Sequence, residues 1–520
     1  MGHARTSTVV VIGVEGYLVE VEAHISPGLP SMSIVGLADT AVGESRDRAR
    51  SAILNSKLEW PKTRLTVGLS PAWLPKTGSG LDLAIAIAAL AADGTVPRES
   101  VARCVYLGEL GLDGRIRPVR GVLVAAVTAA RVGLERIVVP AANLREASLV
   151  PGINVVGART LAALVAHLRG QPEPDDSLAD FELIGNSTAS PLGEMQAPDL
   201  VDVRGHAMGR YVLEVTAAGG HHLAMLGPPG VGKTLLAERL PGILPALGHD
   251  EALEVTAVHS VAGRLSAEGV LVDRPPLCAP HHSATFAAMV GGGGGRTPRI
   301  GLISLAHRGV LFLDESPEFA PQVLDALRQP MESGEVTVAR VGFTAKLPAR
   351  FQLVLAANPC PCGLGGADPA VGVCTCSSMQ RRRYLARLSG PLLDRVDLRL
   401  VLDRPSAADL LTELHPEASS VVAGRVLEAR SRAAARLVDT PWHTNQEVPG
   451  AAFRRRYPPD SGGVRVLDSL AREPGCSARG LDRVARVAWT VADLAGRDRP
   501  SSADLMMAKS LRDSEGRWAA

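Results

Sequence analysis

A glycine-rich segment near the middle of the sequence has the residue types and the spacing that bind phosphate. It follows the pattern G-x-x-x-x-G-K-T, and its members are Gly227, Pro228, Pro229, Gly230, Val231, Gly232, Lys233 and Thr234. The segment lies between the apolar run 223–226 and a helical pattern, which is the strand-to-helix setting that phosphate binding requires. Backbone N–H groups of such a loop converge on phosphate oxygens, the lysine reaches the β and γ phosphates, and the threonine binds Mg²⁺. The pattern therefore predicts a site for ATP and magnesium, with a chance glycine-rich turn as the alternative.

Two further apolar runs end in polar residues that suit the same chemistry. The run 309–313 is followed by Asp314 and Glu315, and the run 351–357 is followed by Asn358. We expect Asp314 to hold Mg²⁺ through water and Glu315 to polarise the attacking water. The amide of Asn358 is expected to contact the γ-phosphate or that water. The alternative for the two carboxylates is that they cap a helix.

Two arginines nearer the C-terminus are candidates for completing the site. Arg395 stands between acidic residues in the segment 389–397, and Arg479 stands at the start of a predicted amphipathic helix. Arg395 is predicted to be an arginine finger that enters a neighbouring subunit's site, where removal typically lowers the rate by roughly 10³–10⁵-fold. The alternative for it is a surface ion pair of little energetic value. Arg479 is predicted to contact the γ-phosphate.

Four of the seven cysteines fall within one short segment. They have the spacing C-x-C, eleven residues, C-x-C, and they are Cys360, Cys362, Cys374 and Cys376. Four thiolates separated by a loop suit a structural zinc site. Reduced free thiols and a redox disulfide are the alternatives.

The predicted helices and strands that must position these residues indicate a multidomain α/β protein. Its expected parts are a first domain at 1–170, an acidic and proline-containing linker at 171–190, an α/β core at 191–405 and a helical region at 406–520. In the first domain we predict strands at 9–12 and 17–21, broken at Gly16, together with a buried alanine-rich helix at 82–92 and a strand at 136–140.

The composition excludes several classes of protein. The chain has 520 residues, and its 55 basic and 54 acidic side chains leave a net charge of +1, so any nucleic-acid contact must come from local patches. Aromatic residues make up only 3%, so the cores must be aliphatic. No run of about 18 apolar residues or secretory leader is evident, which predicts a cytoplasmic protein without membrane contact.

Taken together and in this order, these motifs resemble those of AAA+ ATPases, and specifically the magnesium-chelatase-like YifB/ComM family. Five segments carry the closer resemblance: 279–283 (APHHS), 291–295, 303–307, 327–332 and 357–362. The resemblance covers almost the whole chain. It implies a P-loop AAA+ α/β core with an α-helical C-terminal lid, assembly into a ring that is expected to be a hexamer, and ATP-driven branch migration or unwinding of single-stranded or branched DNA during natural transformation.

The first domain resembles the α+β proteolytic domain of Lon-type proteases, through the segments 75–80 and 108–114. Those proteases use a serine activated by a lysine. The alignment places Gly80 at the serine position and Leu123 at the lysine position, so we expect a non-catalytic domain. A protease that uses Lys76 and Ser79 is the alternative.

Two segments of the core are expected to contact DNA, the glycine-rich loop 291–296 and the hairpin 335–347. The resemblance implies this, because related minichromosome-maintenance helicases carry a DNA-facing cation on the hairpin that corresponds to 335–347. In the predicted hairpin 335–347 that cation is Arg340, and Lys346 and Arg296 are predicted to assist it. A ring of repeated cations would form a track for phosphates. The alternative is a solvated hairpin end.

Two other functions remain open. A magnesium-chelatase motor subunit would need an integrin-like metal domain, and no D-x-S-x-S motif occurs. A regulatory or protein-remodelling AAA+ ATPase would use an aromatic pore residue, for which Phe343 is the candidate. The adjacent His281 and His282 belong to a family motif, but the sequence assigns them no role.

Overall fold

The computed structural model describes residues 2–36, 39–172, 174, 198–265, 270–292, 299–340, 343–365, 373–406, 416–474 and 476–512.

Within the described residues, the first part of the chain forms a seven-stranded mixed sheet and a small two-stranded ribbon. The strands are β1 (Gly2–Ile12), β2 (Glu15–Ser26), β3 (Ser31–Val35), β4 (Arg64–Ser70), β5 (Cys104–Tyr106), β6 (Glu109–Leu110), β7 (Ile116–Arg117), β8 (Arg136–Pro140) and β9 (Asn154–Ala158). The sheet order is β3-β4-β2-β1-β5-β8-β9, and β6 pairs with β7. The helices are α1 (Thr40–Asn55), α2 (Asp82–Asp93), α3 (Arg98–Val101), α4 (Val122–Arg131), α5 (Leu144–Ala147) and α6 (Leu161–Leu168).

The predicted buried helix and the predicted strand at 136–140 are confirmed. Residues 82–92 of α2 are all buried, and its alanines allow the helix to lie close against β1 and β2. Small side chains on every face suit a helix that is enclosed on all sides.

The predicted break at Gly16 is wrong. Gly16 lies inside β2 and pairs with Val11 of β1, whereas the chain reverses at Gly13, whose φ is 64°. A Cβ atom on Gly16 would lie 2.1 Å from the Thr128 hydroxyl oxygen on α4. Glycine is therefore present because a helix packs closely on the strand, not because the chain turns.

Within the described residues, the second part of the chain contains a five-stranded sheet in which every pairing is parallel. Its strands are β10 (Leu223–Leu226), β11 (Leu277–Cys278), β12 (Val310–Leu313), β15 (Gln352–Ala357) and β16 (Leu398–Val401), in the order β11-β12-β15-β10-β16. Strands β13 (Glu335–Arg340) and β14 (Phe343–Pro348) form an antiparallel hairpin beside it. The predicted strands that precede Gly227, Asp314 and Asn358 are thus confirmed. Because the strands are parallel, their carboxyl ends meet at one edge of the sheet.

Helices cover both faces of this sheet. They are α7 (Ala207–Gly219), α8 (Lys233–Ile243), α9 (His249–Ala262), α10 (Phe286–Val290), α11 (Leu302–Leu305), α12 (Pro321–Ala326), α13 (Pro330–Ser333), α14 (Ser378–Leu385), α15 (Gly390–Leu393), α16 (Ser419–Leu437), α17 (Gly450–Arg456), α18 (Ser461–Ala471), α19 (Ala478–Leu494) and α20 (Ser502–Arg512). Four of the last five, α16, α18, α19 and α20, include residues of the same apolar core as the sheet: Val426 and Val487 belong to one buried cluster with Leu223 and Val354. None of the helices in the described ranges is long and apolar enough to cross a bilayer.

A buried carboxylate joins the sheet to these C-terminal helices. Asp397, just before β16, has no exposed surface, and it pairs with Arg483 of α19 at 2.6 Å and with His221 at 3.4 Å. Although burial opposes its ionisation, the charge of Arg483 and the contact with His221 hold the pKa of Asp397 well below its ordinary value. Asp397 therefore remains charged at neutral pH and links the sheet to α19.

The variant Asp397→Ala is expected to be destabilised by about 3–5 kcal/mol, because it leaves the Arg483 charge uncompensated in a largely buried position. Urea unfolding followed by tryptophan fluorescence would measure this, since Trp442 and Trp489 lie among the C-terminal helices. The control Asp468→Ala alters an exposed carboxylate of α18 and is expected to change stability by less than about 0.5 kcal/mol. Equal unfolding midpoints for the two variants would contradict the prediction.

The first part of the chain packs against the second at α9 and at the hairpin. The Ser260 hydroxyl of α9 donates a hydrogen bond of 2.5 Å to the buried carboxylate of Glu146. At the β1–β2 turn, a Cβ atom on Gly13 would lie 3.0 Å from a methyl group of Leu347 and 3.4 Å from the Cβ atom of Ala345, both on β14. The turn therefore lies in direct contact with the base of the β13–β14 hairpin.

Candidate nucleotide-binding site

The phosphate loop connects the carboxyl end of β10 to the first turn of α8, as its sequence predicts. Gly230 and Gly232 have φ values of 73° and 93°, a backbone conformation that glycine adopts at little cost. Lys233 is the first residue of α8, which runs for 11 residues. The loop therefore presents the amino end of a helix, where the helix dipole and free N–H groups favour an anion.

Lys233 joins the loop to the end of a neighbouring strand. Its ammonium donates hydrogen bonds to the carbonyl oxygens of Gly227 at 2.6 Å and Pro228 at 2.9 Å, and to Asn358 Oδ1 at 3.0 Å. Burial lowers the pKa of Lys233, while the carboxylates of Asp314 and Glu315 oppose this shift. The structure thus brings the predicted lysine and amide together at one point.

The magnesium candidates also lie together. The Thr234 hydroxyl donates to Asp314 Oδ2 at 2.7 Å, so a hydroxyl and a carboxylate are adjacent where β12 ends. Oxygen donors of these two types are those that Mg²⁺ prefers, and a site with few protein ligands leaves positions for phosphate and water. The residues present therefore fit a magnesium ion that is shared with a nucleotide.

Glu315 is held in an unusual backbone conformation beside this pair. Its φ is 48°, which is uncommon for a residue with a side chain, and its N–H donates to Asp314 Oδ1 at 2.8 Å. Its carboxylate is about half exposed and lies 3.4 Å from Nδ1 of His282. Strain at a charged residue beside a candidate metal site is typical of functional sites.

The sequence did not assign a role to the two adjacent histidines, and the structure places them at this edge. His282 contacts Glu315, and its ring lies over that of His281 with centroids 4.1 Å apart. His281 Nδ1 is 2.8 Å from the hydroxyl of Ser283. The available signal was their position just after a short strand, β11, because the carboxyl end of every parallel strand lies at this edge.

The structure does not bring Arg395 and Arg479 to the phosphate loop of the same chain. Arg395 precedes β16, which pairs in parallel with β10 so that Leu398 lies opposite Leu223. The four residues of β10 span roughly 13 Å, at about 3.3 Å per residue, between this end of the sheet and the phosphate loop. The two arginines therefore lie at the opposite edge of the sheet from Lys233.

At that opposite edge the two arginines lie close to each other. Arg395 pairs with Glu332 at 2.5 Å, and Arg479 lies 3.9 Å from Asp394, the residue next to Arg395. Both line a cavity of about 580 Å³ to which the following arginines also contribute: Arg308, Arg350, Arg430, Arg483 and Arg486. Carboxylates line the same cavity, and several of its arginines are paired within the chain, as Arg308 is with Glu251 at 2.8 Å.

Comparisons with known proteins identify the family to which the chain belongs. Family models match three regions: "Magnesium chelatase, subunit ChlI" at residues 199–410, "Subunit ChlI of Mg-chelatase" at 21–143, and "Magnesium chelatase, subunit ChlI C-terminal" at 416–512. YifB of Escherichia coli is 40% identical and covers 98% of this chain and 96% of its own length. Competence protein ComM of Haemophilus influenzae is 39% identical over 93% of this chain and 92% of its own. The chain belongs to the YifB/ComM family of magnesium-chelatase-like AAA+ ATPases.

Other members of the YifB/ComM family are more similar still. An uncharacterized protein of Mycobacterium tuberculosis is 50% identical over 99% of this chain and all of its own length. Membership in the magnesium-chelatase-like group implies the use of a nucleotide and Mg²⁺, in agreement with the residues that meet at the phosphate loop.

In this member of the YifB/ComM family, the four cysteines that were predicted to bind zinc lie together. All four sulfur atoms are within 4.8 Å of one another. Burial raises the pKa of Cys360 to about 12, whereas a backbone N–H of Leu364 lowers the pKa of Cys362 to about 6. Cys360 and Cys362 are 3.3 Å apart, well beyond the ~2.05 Å of a disulfide bond.

The residues predicted to contact DNA are only partly described in this family member. Arg340 is the last residue of β13 and pairs with Phe343, but its side chain is not among the described atoms, and Arg296 lies outside the described residues. Lys346 is exposed on the hairpin, 3.8 Å from the carboxylate of Glu335. The backbone thus places Arg340 at the far end of the hairpin and Lys346 closer to its base.

The residues of the protease alternative have separate partners. The buried ammonium of Lys76 donates to the carbonyl oxygen of Pro71, and burial lowers its pKa. The Ser79 hydroxyl donates instead to the carboxylate of Glu109. The two side chains that a serine–lysine mechanism would need to pair are therefore each bonded to another group.

Proposed function

We propose that this protein is a ring-forming, ATP-hydrolysing motor that acts on DNA, unwinding it or driving branch migration during natural transformation. One observation supports assembly, the separation of the site into two halves. Lys233, Thr234, Asp314 and Glu315 lie at one edge of the parallel sheet, whereas Arg395 lies at the other. A complete site then requires the arginine edge of a second subunit, and the repetition of this contact closes a ring, proposed to be a hexamer.

The roles of the site residues follow from their positions. Lys233 binds the β and γ phosphates, and Asn358, within 3.0 Å of it, contacts the γ-phosphate or the attacking water. Glu315 accepts a proton from that water, and His282 orients the carboxylate. Thr234 and Asp314 hold Mg²⁺, which, when bound, neutralises charge on the phosphate oxygens.

Arg395 and Arg479 serve the neighbouring subunit together in this proposal. Both line the cavity at the arginine edge, and a guanidinium there stabilises charge on the transferred phosphoryl group of the adjacent chain. Glu332 holds Arg395 in position at 2.5 Å. Hydrolysis then depends on contact between subunits, which couples the chemical step to motion in the ring.

DNA is the proposed substrate because of the hairpin and because a relative that is 39% identical is named a competence protein. Arg340 stands at the end of the β13–β14 hairpin. Lys346 and Arg296 are proposed to add positive charge to the DNA-binding surface. Repetition around a ring multiplies this modest charge into a phosphate-binding track. With DNA as substrate, the proposed compartment is the cytoplasm.

The proposal assigns one role to each part of the chain. Residues 1–170 form a non-catalytic Lon-protease-like domain, 171–190 a linker, 191–405 the AAA+ core and 406–520 the C-terminal lid. The cofactors are ATP and Mg²⁺, together with a zinc ion on the four cysteines.

The ATPase rate with and without single-stranded, duplex and forked DNA tests the proposal. DNA is expected to stimulate the wild-type protein, and Arg340→Ala is expected to lose that stimulation while keeping basal hydrolysis, because its position is remote from the phosphate loop along the chain and at the end of the hairpin. The apparent DNA affinity should also fall with rising salt less steeply for the variant, since it makes fewer phosphate contacts.

The control is Arg98→Ala, which removes an exposed arginine from the first domain and should leave DNA stimulation unchanged. Absence of DNA binding and stimulation at low salt in the presence of ATP would refute the DNA motor. The ATPase would then remain, and protein clients would become the leading substrates.

A further inference from the structure

We propose that the four cysteines hold a zinc ion that fixes the loop after β15 in its position against the phosphate loop, so that removal of zinc slows ATP hydrolysis. This inference rests on the proposed roles of Asn358 and of the cysteines, and it adds a function for the metal. Zinc would then support the catalytic step, rather than only stabilise a part of the fold that is remote from the nucleotide site.

The geometry of the cluster suits tetrahedral zinc. Zn–S bonds of about 2.3 Å place the sulfur atoms of a tetrahedron about 3.8 Å apart. The sulfur of Cys360 is 3.3 Å from that of Cys362 and 3.7 Å from that of Cys374, and Cys362 and Cys374 are 3.6 Å apart. The N–H of Gly365 donates to the Cys360 sulfur at 3.2 Å, a contact that stabilises a ligating thiolate.

The first pair of cysteines is attached directly to the nucleotide site. Cys360 is two residues from Asn358, whose amide oxygen accepts the hydrogen bond from Lys233. Gly363, in the same loop, lies against the phosphate loop so closely that a Cβ atom on it would be 2.6 Å from a ring carbon of Pro229. Movement of the cysteine loop would therefore shift both Asn358 and Pro229.

The second pair of cysteines is attached to a helix. Cys376 immediately precedes Ser377, which caps α14 by accepting a hydrogen bond from the N–H of Gln380, while the Gln380 side chain accepts one from the N–H of Ser377. A metal shared by the two pairs would thus connect α14 to the end of β15. Hydrogen bonds between neutral thiols are too weak to supply such a connection.

The first measurement is the metal content of the purified full-length protein. About one zinc per chain is expected by mass spectrometry of the metal. After extraction with a chelator, removal of the chelator and return to a buffer with Mg²⁺, the rate of basal ATP hydrolysis should be lower by about 10–100-fold, and added zinc should restore it. Protein with no zinc, or zinc-free protein with an unchanged rate, would overturn the inference.

Two matched pairs of variants separate metal binding from its consequence. Cys374→Ser should lose zinc and hydrolysis together, whereas Cys476→Ser, which alters an exposed cysteine outside the cluster, should retain both. Gly363→Ala should retain zinc but lose hydrolysis because its methyl group displaces Pro229. Gly133→Ala has the same type of backbone strain, with φ of 75°, but no atom within 4 Å, and should retain full hydrolysis.

These outcomes are independent of the DNA proposal because basal hydrolysis is measured without DNA. If the zinc-loaded protein hydrolyses ATP but DNA does not stimulate it, the DNA motor fails and the zinc inference stands. If Cys374→Ser does not fold, chelation of the wild type and Gly363→Ala still decide the question. Full activity of Gly363→Ala would refute the contact with Pro229 as the route of coupling.

Discussion

Replacement of Arg395 by alanine is expected to lower the rate of ATP hydrolysis by roughly 10³–10⁵-fold, the usual effect of removing an arginine finger. Binding of ATP to the same chain should be preserved, because Arg395 lies at the sheet edge opposite the phosphate loop. Steady-state hydrolysis and the affinity for a fluorescent ATP analogue are the measurements. Arg395→Lys should also be strongly impaired, since an ammonium does not reproduce the planar guanidinium.

A mixing experiment distinguishes action across an interface from action within one chain. Equal amounts of Arg395→Ala and Glu315→Gln, each inactive alone, should regain hydrolysis when they assemble together. In random rings roughly a quarter of the interfaces would combine an intact phosphate loop with an intact arginine from the next subunit. If the mixture stays inactive although mixed rings form, Arg395 does not serve the neighbouring site.

The second large effect is expected for Glu315→Gln, which should lower the catalytic rate by about 10²–10⁴-fold, the range for loss of a general base. The amide preserves the size of the side chain but cannot accept the proton of the attacking water. Affinity for the ATP analogue should be unchanged. Single-turnover hydrolysis is the appropriate measurement because it separates the chemical step from product release.

The matched control is Glu238→Gln, an exposed carboxylate on α8, the helix that follows the phosphate loop. It should leave both hydrolysis and binding unaffected. A rate for Glu315→Gln within a few-fold of the wild type would remove Glu315 from the role of base.

The sequence could predict those parts of the site that depend on neighbours along the chain. The phosphate loop, the strand ending at Asp314 and the strand ending at Asn358 are each continuous segments, and the parallel arrangement then brings their ends together. Lys233 accordingly contacts Asn358, and Thr234 contacts Asp314, as expected from their positions.

Contacts between distant segments could not be predicted in the same way. The approach of His282 to Glu315 and that of Gly363 to Pro229 depend on how two loops pack, and no local pattern records this. At Gly16 the predicted break between strands was wrong, because a glycine that accommodates a packed helix looks the same in the sequence as a glycine that makes a turn. The position of Arg395 relative to the phosphate loop depends on the register of β16 against β10, which the sequence alone does not reveal.

The contact between Gly13 and β14 has a mechanical consequence. Leu347 and Ala345 lie so close to the β1–β2 turn that a Cβ atom on Gly13 would crowd them, so the base of the hairpin is supported by the first sheet. A hairpin that is held at its base moves most at its tip, and the tip of this hairpin carries Arg340. Any load on the tip is therefore transmitted to the amino-terminal sheet, which makes that sheet the place where a bound protein could stiffen or relax the hairpin.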